Sequence, residues 1–152
     1  MKNITLALQM YAQDNDGVLP AAGRWCDQAQ VYVGNRSSNV FLCEDSWGTA
    51  SAYSYDNALD RASLGDLTDP ASLIAIFESN AGWNAHGGSE LLVNEPRHLG
   101  GDNYGFADGH AAWLPRKKLG TDDRGNPIWA KEAADHRVMW DPVLKKTEEE
   151  PQ

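Results

Sequence analysis

Long hydrophobic runs are missing from this chain: no segment approaches the roughly eighteen consecutive apolar residues that a membrane-spanning helix needs. A basic stretch leading into an apolar one is missing too, so the chain as given is expected to carry neither anchor nor secretory signal. Positive charge is scarce, with 13 Lys and Arg against 22 Asp and Glu and a net charge of -9. A surface of that sign repels phosphate backbones, which argues against a nucleic-acid partner. The basic clusters Arg116-Lys117-Lys118 and Lys145-Lys146 are too short to form a stripe and read as solvated surface. Only two cysteines are present, Cys26 and Cys43, without the CxxC spacing of a zinc ribbon.

Recognisable reaction motifs are absent as well. No serine sits in GxSxG, and the glycines lack the spacing of a P-loop or a dinucleotide fingerprint. Acids flank both sulfurs, in Trp25-Cys26-Asp27 and Leu42-Cys43-Glu44, which raises a thiol pKa and argues against a nucleophile. The four histidines, His86, His98, His110 and His136, share no HxH or HExxH spacing, so a zinc site would have to be assembled from scattered loops. No catalytic, cofactor-binding or metal-ligating residue is therefore expected. Calcium stays open as a cofactor on two weak segments. With Gly17 as the sixth position of an EF-hand-like loop around Asp14 and Asp16, Ala12 and Gly23 stand where ligands belong, and Asp122-Asp123-Arg124-Gly125-Asn126 is merely oxygen-rich.

What is there is a foldable globule. The 152 residues fit one domain that can bury about two-thirds of its unfolded surface. A hydrophobic fraction of 41% with six tryptophans supplies a core, while a mean hydropathy of -0.54 leaves a wet exterior. Met1, Ile4, Leu8 and Tyr11 recur at three- and four-residue spacing and predict a helix over 1–14, closed by Asp14-Asn15-Asp16-Gly17 and Pro20. Leu6 and Met10 fall on a neighbouring face and widen the apolar arc. A second helix is expected over 23–33, with Trp25, Ala29 and Val33 four apart. Strands are expected at 40–43, 50–55, 73–77 and 90–93.

The segment 98–114 reads as a hairpin. Asn103 to Ala107 and His110 to Leu114 flank Asp108-Gly109, a dipeptide suited to a two-residue type I′ turn. That register sets Tyr104 opposite Trp113 and Phe106 opposite Ala111, gathering three rings on one face, with Asn103, Gly105, Ala107 and Ala112 on the other. His98 and Asp108 could form a base and its orienting carboxylate. The simpler reading gives Asp108 the turn and His98 a backbone hydrogen bond that pins the entering loop.

His98, nine intervening residues and Asp108-Gly109 resemble the H-X9-DG processing-associated domain of type IV pilin-like and type II secretion pseudopilin-like proteins. Asn3 to Pro20 resembles the family's junction after its membrane-spanning half-helix, and Val40–Ser46, Tyr53–Leu59 and Asp69–Ser79 resemble its middle. Because one apolar stripe must cover one apolar face, the expected fold is α+β and pilin-like, an N-terminal helix packed on a small antiparallel sheet with Tyr104, Phe106 and Trp113 facing that helix. The resemblance implies a head domain over 1–114 and a C-terminal extension of the same domain over 115–152, with a frayed end. A leader and membrane helix would precede Asn3, the location would be periplasmic or extracellular, and the partners would be other pilin-like subunits contacted through the helix of Met1, Ile4, Leu8 and Tyr11. Export also implies a disulfide between Cys26 and Cys43, with two buried thiols as the alternative. The implied role is a non-catalytic structural subunit. Two other readings stand beside it: a secreted module stacking sugars or peptides on Trp47 and Trp83, and an enzyme using His98 and Asp108.

Overall fold

The buried stripe Ile4, Ala7, Leu8 and Ala12 winds the first helix, α1, over Lys2–Asp14. Gly17, at φ +79°, returns its N–H to Ala12 O at 2.8 Å and turns the chain away. The protein is described here by a computed structural model that covers residues 1–34, 38–43, 50–133 and 139–141. In it, Ile4 and Leu8 are core residues, Met1 packs partly against them, and Tyr11 meets Tyr32 edge to face at 6.0 Å. Of the stripe expected to mediate assembly, Ile4 and Leu8 are buried, while Met1 and Tyr11 are half-buried. Leu6 and Met10 stay outside, 56% and 42% exposed.

The second helix is shorter than its spacing predicted. A 3₁₀ turn at Ala22–Arg24 runs into α2, Trp25–Gln30, which buries Trp25, Cys26 and Ala29. Two expected strands also prove to be 3₁₀ turns, at Ser38–Phe41 and Ser89–Leu91. Both are apolar runs too short to settle between strand and turn by pattern alone.

Six strands form one sheet: β1 (Tyr53–Asp56), β2 (Ile74–Glu78), β3 (His86–Gly87), β4 (Gly101–Phe106), β5 (Ala111–Thr121) and β6 (Pro127–Ala133). Their order is β3-β1-β2-β4-β5-β6. The fold is α+β, but the sheet is mixed and not purely antiparallel, because β3 runs parallel to β1. β5 passes through residue 115 without interruption, and β6 pairs with it. The expected frayed end, Lys145 to Gln152, lies outside the described residues.

The β4–β5 hairpin departs from its expected register by one residue. Phe106 N–H donates to His110 O and Gly109 N–H to Phe106 O, both at 2.9 Å, so the loop holds three residues, Ala107, Asp108 and Gly109. This is a type I turn closed by Gly109 at φ +95°, and it needs a left-handed residue only at the glycine. Tyr104 consequently faces Ala112, and Asn103 faces Trp113. Because side chains alternate along a strand, the extra residue sends Trp113 to the opposite face, where it is 46% exposed. Tyr104 and Phe106 are buried with Ile74, Phe77 and Leu92, and Trp140 packs edge-on to Phe77 at 5.0 Å.

The residues that touch α1 are the small ones. A Cβ at Gly105 would lie 2.2 Å from Thr5 Cγ2, and Gln9 Nε2 donates to Ala107 O at 2.6 Å. The aromatic face of β4 is thus turned away from α1, contrary to expectation. A helix backbone approaches a strand most closely where no side chain intervenes, and Gly105 offers that gap.

Candidate functional site

The type I′ geometry missing at Asp108-Gly109 occurs just before β4. Leu99 and Gly100 have φ of +52° and +82°, and His98 and Gly101 exchange backbone hydrogen bonds of 3.0 and 3.1 Å across them. Leu99 is a bulky residue in left-handed conformation with a fully exposed side chain. This small hairpin holds His98 in a fixed orientation. Arg97 fixes the approach: its Nη1 donates to Ala52 O at 2.9 Å, its Nη2 to Ser79 O at 3.0 Å, and its backbone N–H to Asp102 Oδ1 at 3.2 Å.

The His98 ring reaches the last residue of β2 instead of a backbone group. Its Nε2 lies 2.7 Å from Oε1 of the fully buried Glu78, within hydrogen-bonding distance. Glu78 Oε2 accepts a second hydrogen bond from Asn103 N–H at 3.1 Å. Cys43, two residues beyond the turn that buries Phe41, places its Sγ 3.8 Å from the same Nε2. The three ligand-type atoms of Cys43, Glu78 and His98 all lie within 4.8 Å of one another. Three separate segments thus meet at one point, and no spacing in the sequence announces it.

The pair His98 and Asp108 is not formed. Asp108 Oδ1 instead accepts from His110, at 3.1 Å from the backbone N–H and 2.5 Å from Nδ1, while the His110 ring stacks on Phe106 at 4.2 Å. Asp108 and Gly109 serve the turn, and His98 serves the cluster. The type of site expected from His98 and Asp108 as base and orienter therefore has no geometric support.

The two cysteines are thiols in separate surroundings, and the expected Cys26–Cys43 bridge is not formed. Cys26 Sγ accepts from Asn84 N–H at 3.3 Å, and burial, far more than neighbouring Asp27, pushes its thiol up to about 12. We expect an alkylating reagent to label Cys43 in the folded, reduced and chelator-treated protein and Cys26 only after unfolding. A two-proton mass deficit with no alkylation would show the bridge and overturn this assignment.

The oxygen-rich loop at Asp122 is a turn whose carboxylate is already engaged. Oδ1 accepts from Arg124 and Asn126 N–H at 2.9 and 2.8 Å, and Oδ2 from Asn126 Nδ2 at 3.0 Å. These hydrogen bonds hold its carboxyl below the usual range. Asp14 receives the Tyr32 hydroxyl at 3.0 Å, and Asp16 sits in the turn at φ +54°. Neither segment gathers a calcium shell. Of the tryptophans proposed for stacking, Trp83 is pinned, donating to Asp27 Oδ1 at 2.8 Å and packing on Phe41 at 5.0 Å; Trp47 lies outside the described residues.

No described helix is long and apolar enough to cross a membrane. Compared with known family models, curated proteins and solved structures, the chain finds no match.

Proposed function

We propose that this chain is the head of a pilin-like or pseudopilin-like structural subunit, exported and anchored through a helix that precedes Asn3, with no reaction of its own. Its N-terminal helix would lie on the sheet as a spine, with Thr5 and Gln9 seated at Gly105 and Ala107. The observation that carries this reading is the exposure of Leu6 and Met10, one turn apart on the outer side of α1. Ile4, Ala7, Leu8 and Ala12 already supply the buried side of the helix, which leaves Leu6 and Met10 as apolar surface on its outer side. An outward apolar pair on a spine helix fits contact with neighbouring pilin-like subunits.

The test uses the full-length subunit in its own cell. Leu6→Glu with Met10→Glu is expected to leave the stability of the head within about 0.5 kcal/mol, as exposed substitutions do, while abolishing crosslinking to other pilin-like subunits. Crosslinking that survives both substitutions overturns the assembly reading. So does an ordinary cleavable signal peptide upstream, in place of a short basic leader followed by about twenty apolar residues.

A further inference from the structure

We propose that Cys43, Glu78 and His98 bind a zinc ion, with one coordination position left to water or an outside ligand. The donor set is one thiolate, one carboxylate and one imidazole, the three side-chain types zinc prefers. Their atoms lie within 4.8 Å of one another. Tetrahedral zinc with its usual bond lengths requires neighbouring ligand atoms about 3.3–3.6 Å apart. The 3.8 Å between Cys43 Sγ and His98 Nε2 is close to that spacing, and the 2.7 Å between His98 Nε2 and Glu78 Oε1 has only to open by roughly 0.6 Å.

The arrangement distinguishes a metal site from a nucleophilic triad. In a triad the histidine relays a proton between opposite ring nitrogens, one facing the nucleophile and the other the carboxylate. Here sulfur and carboxylate both address Nε2. Groups converging on one point suit a common centre and do not suit a relay. Binding releases the thiol proton to solvent and leaves the ring proton on Nδ1, so that thiolate, carboxylate and neutral imidazole surround the ion.

The ligands are also held in advance. Glu78 ends β2 and is fixed by Asn103 N–H, His98 is fixed by its backbone exchange with Gly101, and Cys43 follows the buried Phe41. Such preorganisation limits the side-chain freedom lost when the ion enters. A plain structural alternative keeps the His98–Glu78 hydrogen bond and leaves Cys43 a bystander. Sulfur ligation separates the two.

The experiment adds cobalt(II), then zinc(II), to the reduced, chelator-treated chain. One equivalent of cobalt is expected to give visible d–d absorption and a near-ultraviolet thiolate charge-transfer band, both removed by zinc. Cys43→Ser should abolish the charge-transfer band and weaken zinc binding at least about 100-fold, at or beyond the upper end of what changes behind metal ligands cost. His98→Gln should weaken zinc comparably, and the metal-free melting temperature should stay unchanged in Cys43→Ser. Cys26→Ser should keep the band. Absence of any cobalt spectrum, a band that persists in Cys43→Ser, or one that disappears in Cys26→Ser overturns the proposal.

Discussion

Gly105→Ala is expected to destabilise the protein by about 3 kcal/mol, at the upper end of ordinary overpacking. In an open strand the same change is favourable, because alanine gives up less backbone freedom than glycine on folding. Here the new Cβ would lie 2.2 Å from Thr5 Cγ2 and 3.3 Å from both Ile76 Cβ and Met1 Sδ. Thr5 cannot swing away cheaply: it is buried on α1, and its hydroxyl donates to Lys2 O at 2.8 Å. Either α1 lifts from β4 or the strand shifts.

Thr5→Ser removes the offending methyl and keeps the hydroxyl, so it supplies the complementary half of a double-mutant cycle. Alone it is expected to cost about 1 kcal/mol for one buried methyl group. Combined with Gly105→Ala it should cost less than Gly105→Ala alone, giving a coupling of about 2 kcal/mol. Urea denaturation of the four proteins measures this. Additive losses would show that α1 does not rest on Gly105, and a stabilised Gly105→Ala would remove the contact altogether.

The same glycine shows where the sequence is legible and where it is not. Alternation placed Gly105 and Ala107 on one face and Tyr104 and Phe106 on the other, and the strand obeys it. Which face meets α1 is not a property of the strand. Three rings seemed to demand the helix, yet a helix already wide with Thr5 and Gln9 fits against the smaller side chains, while Trp140 and Leu92 cover the rings. Asp108-Gly109 was legible as a turn but not as a turn of a given length, because one left-handed glycine serves a two-residue and a three-residue loop alike. That single residue decides the face of Trp113. The true type I′ pair contains Leu99, a residue that local preference excludes from positive φ, so no local rule could locate it. The Cys43, Glu78 and His98 cluster is a product of tertiary closure: His98 belongs to a motif, Cys43 to an expected bridge, and Glu78 only to a stretch of family resemblance that gives it no role.

Arg116→Met is expected to cost about 3–5 kcal/mol at roughly pH 8, the range for breaking a buried ion pair from one side. The Arg116 and Asp102 side chains are both fully buried, with Nε 2.7 Å from Oδ2. Arg116 also donates from Nη1 to Ala130 O at 3.2 Å and from Nη2 to Val93 O at 2.7 Å, so one guanidinium ties β4 to β6 and to the segment that follows the 3₁₀ turn at Ser89–Leu91. Methionine fills much of the volume but leaves the Asp102 carboxylate uncompensated. Burial already holds that carboxyl above its ordinary range, and the Arg116 charge is the main influence drawing it back down. Without the guanidinium it must titrate higher still.

The sign of the pH effect follows. A carboxyl whose folded pKa exceeds its unfolded one binds more protons in the folded state, so acidification through the folded pKa stabilises the fold and alkalinisation weakens it. Arg116→Met raises that folded pKa further, and the penalty relative to the parent protein should therefore shrink between about pH 8 and about pH 6. Adding Asp102→Leu removes the stranded charge and should recover most of the loss at about pH 8, because apolar replacements of buried pairs are commonly near neutral. Recovery stops short of complete, since Val93 O and Ala130 O lose their donor. Denaturant midpoints of the single and double variants at the two pH values decide it: a penalty that is small, or equal at both, or undiminished by Asp102→Leu, would mean that Arg116 acts by filling space and not by neutralising Asp102.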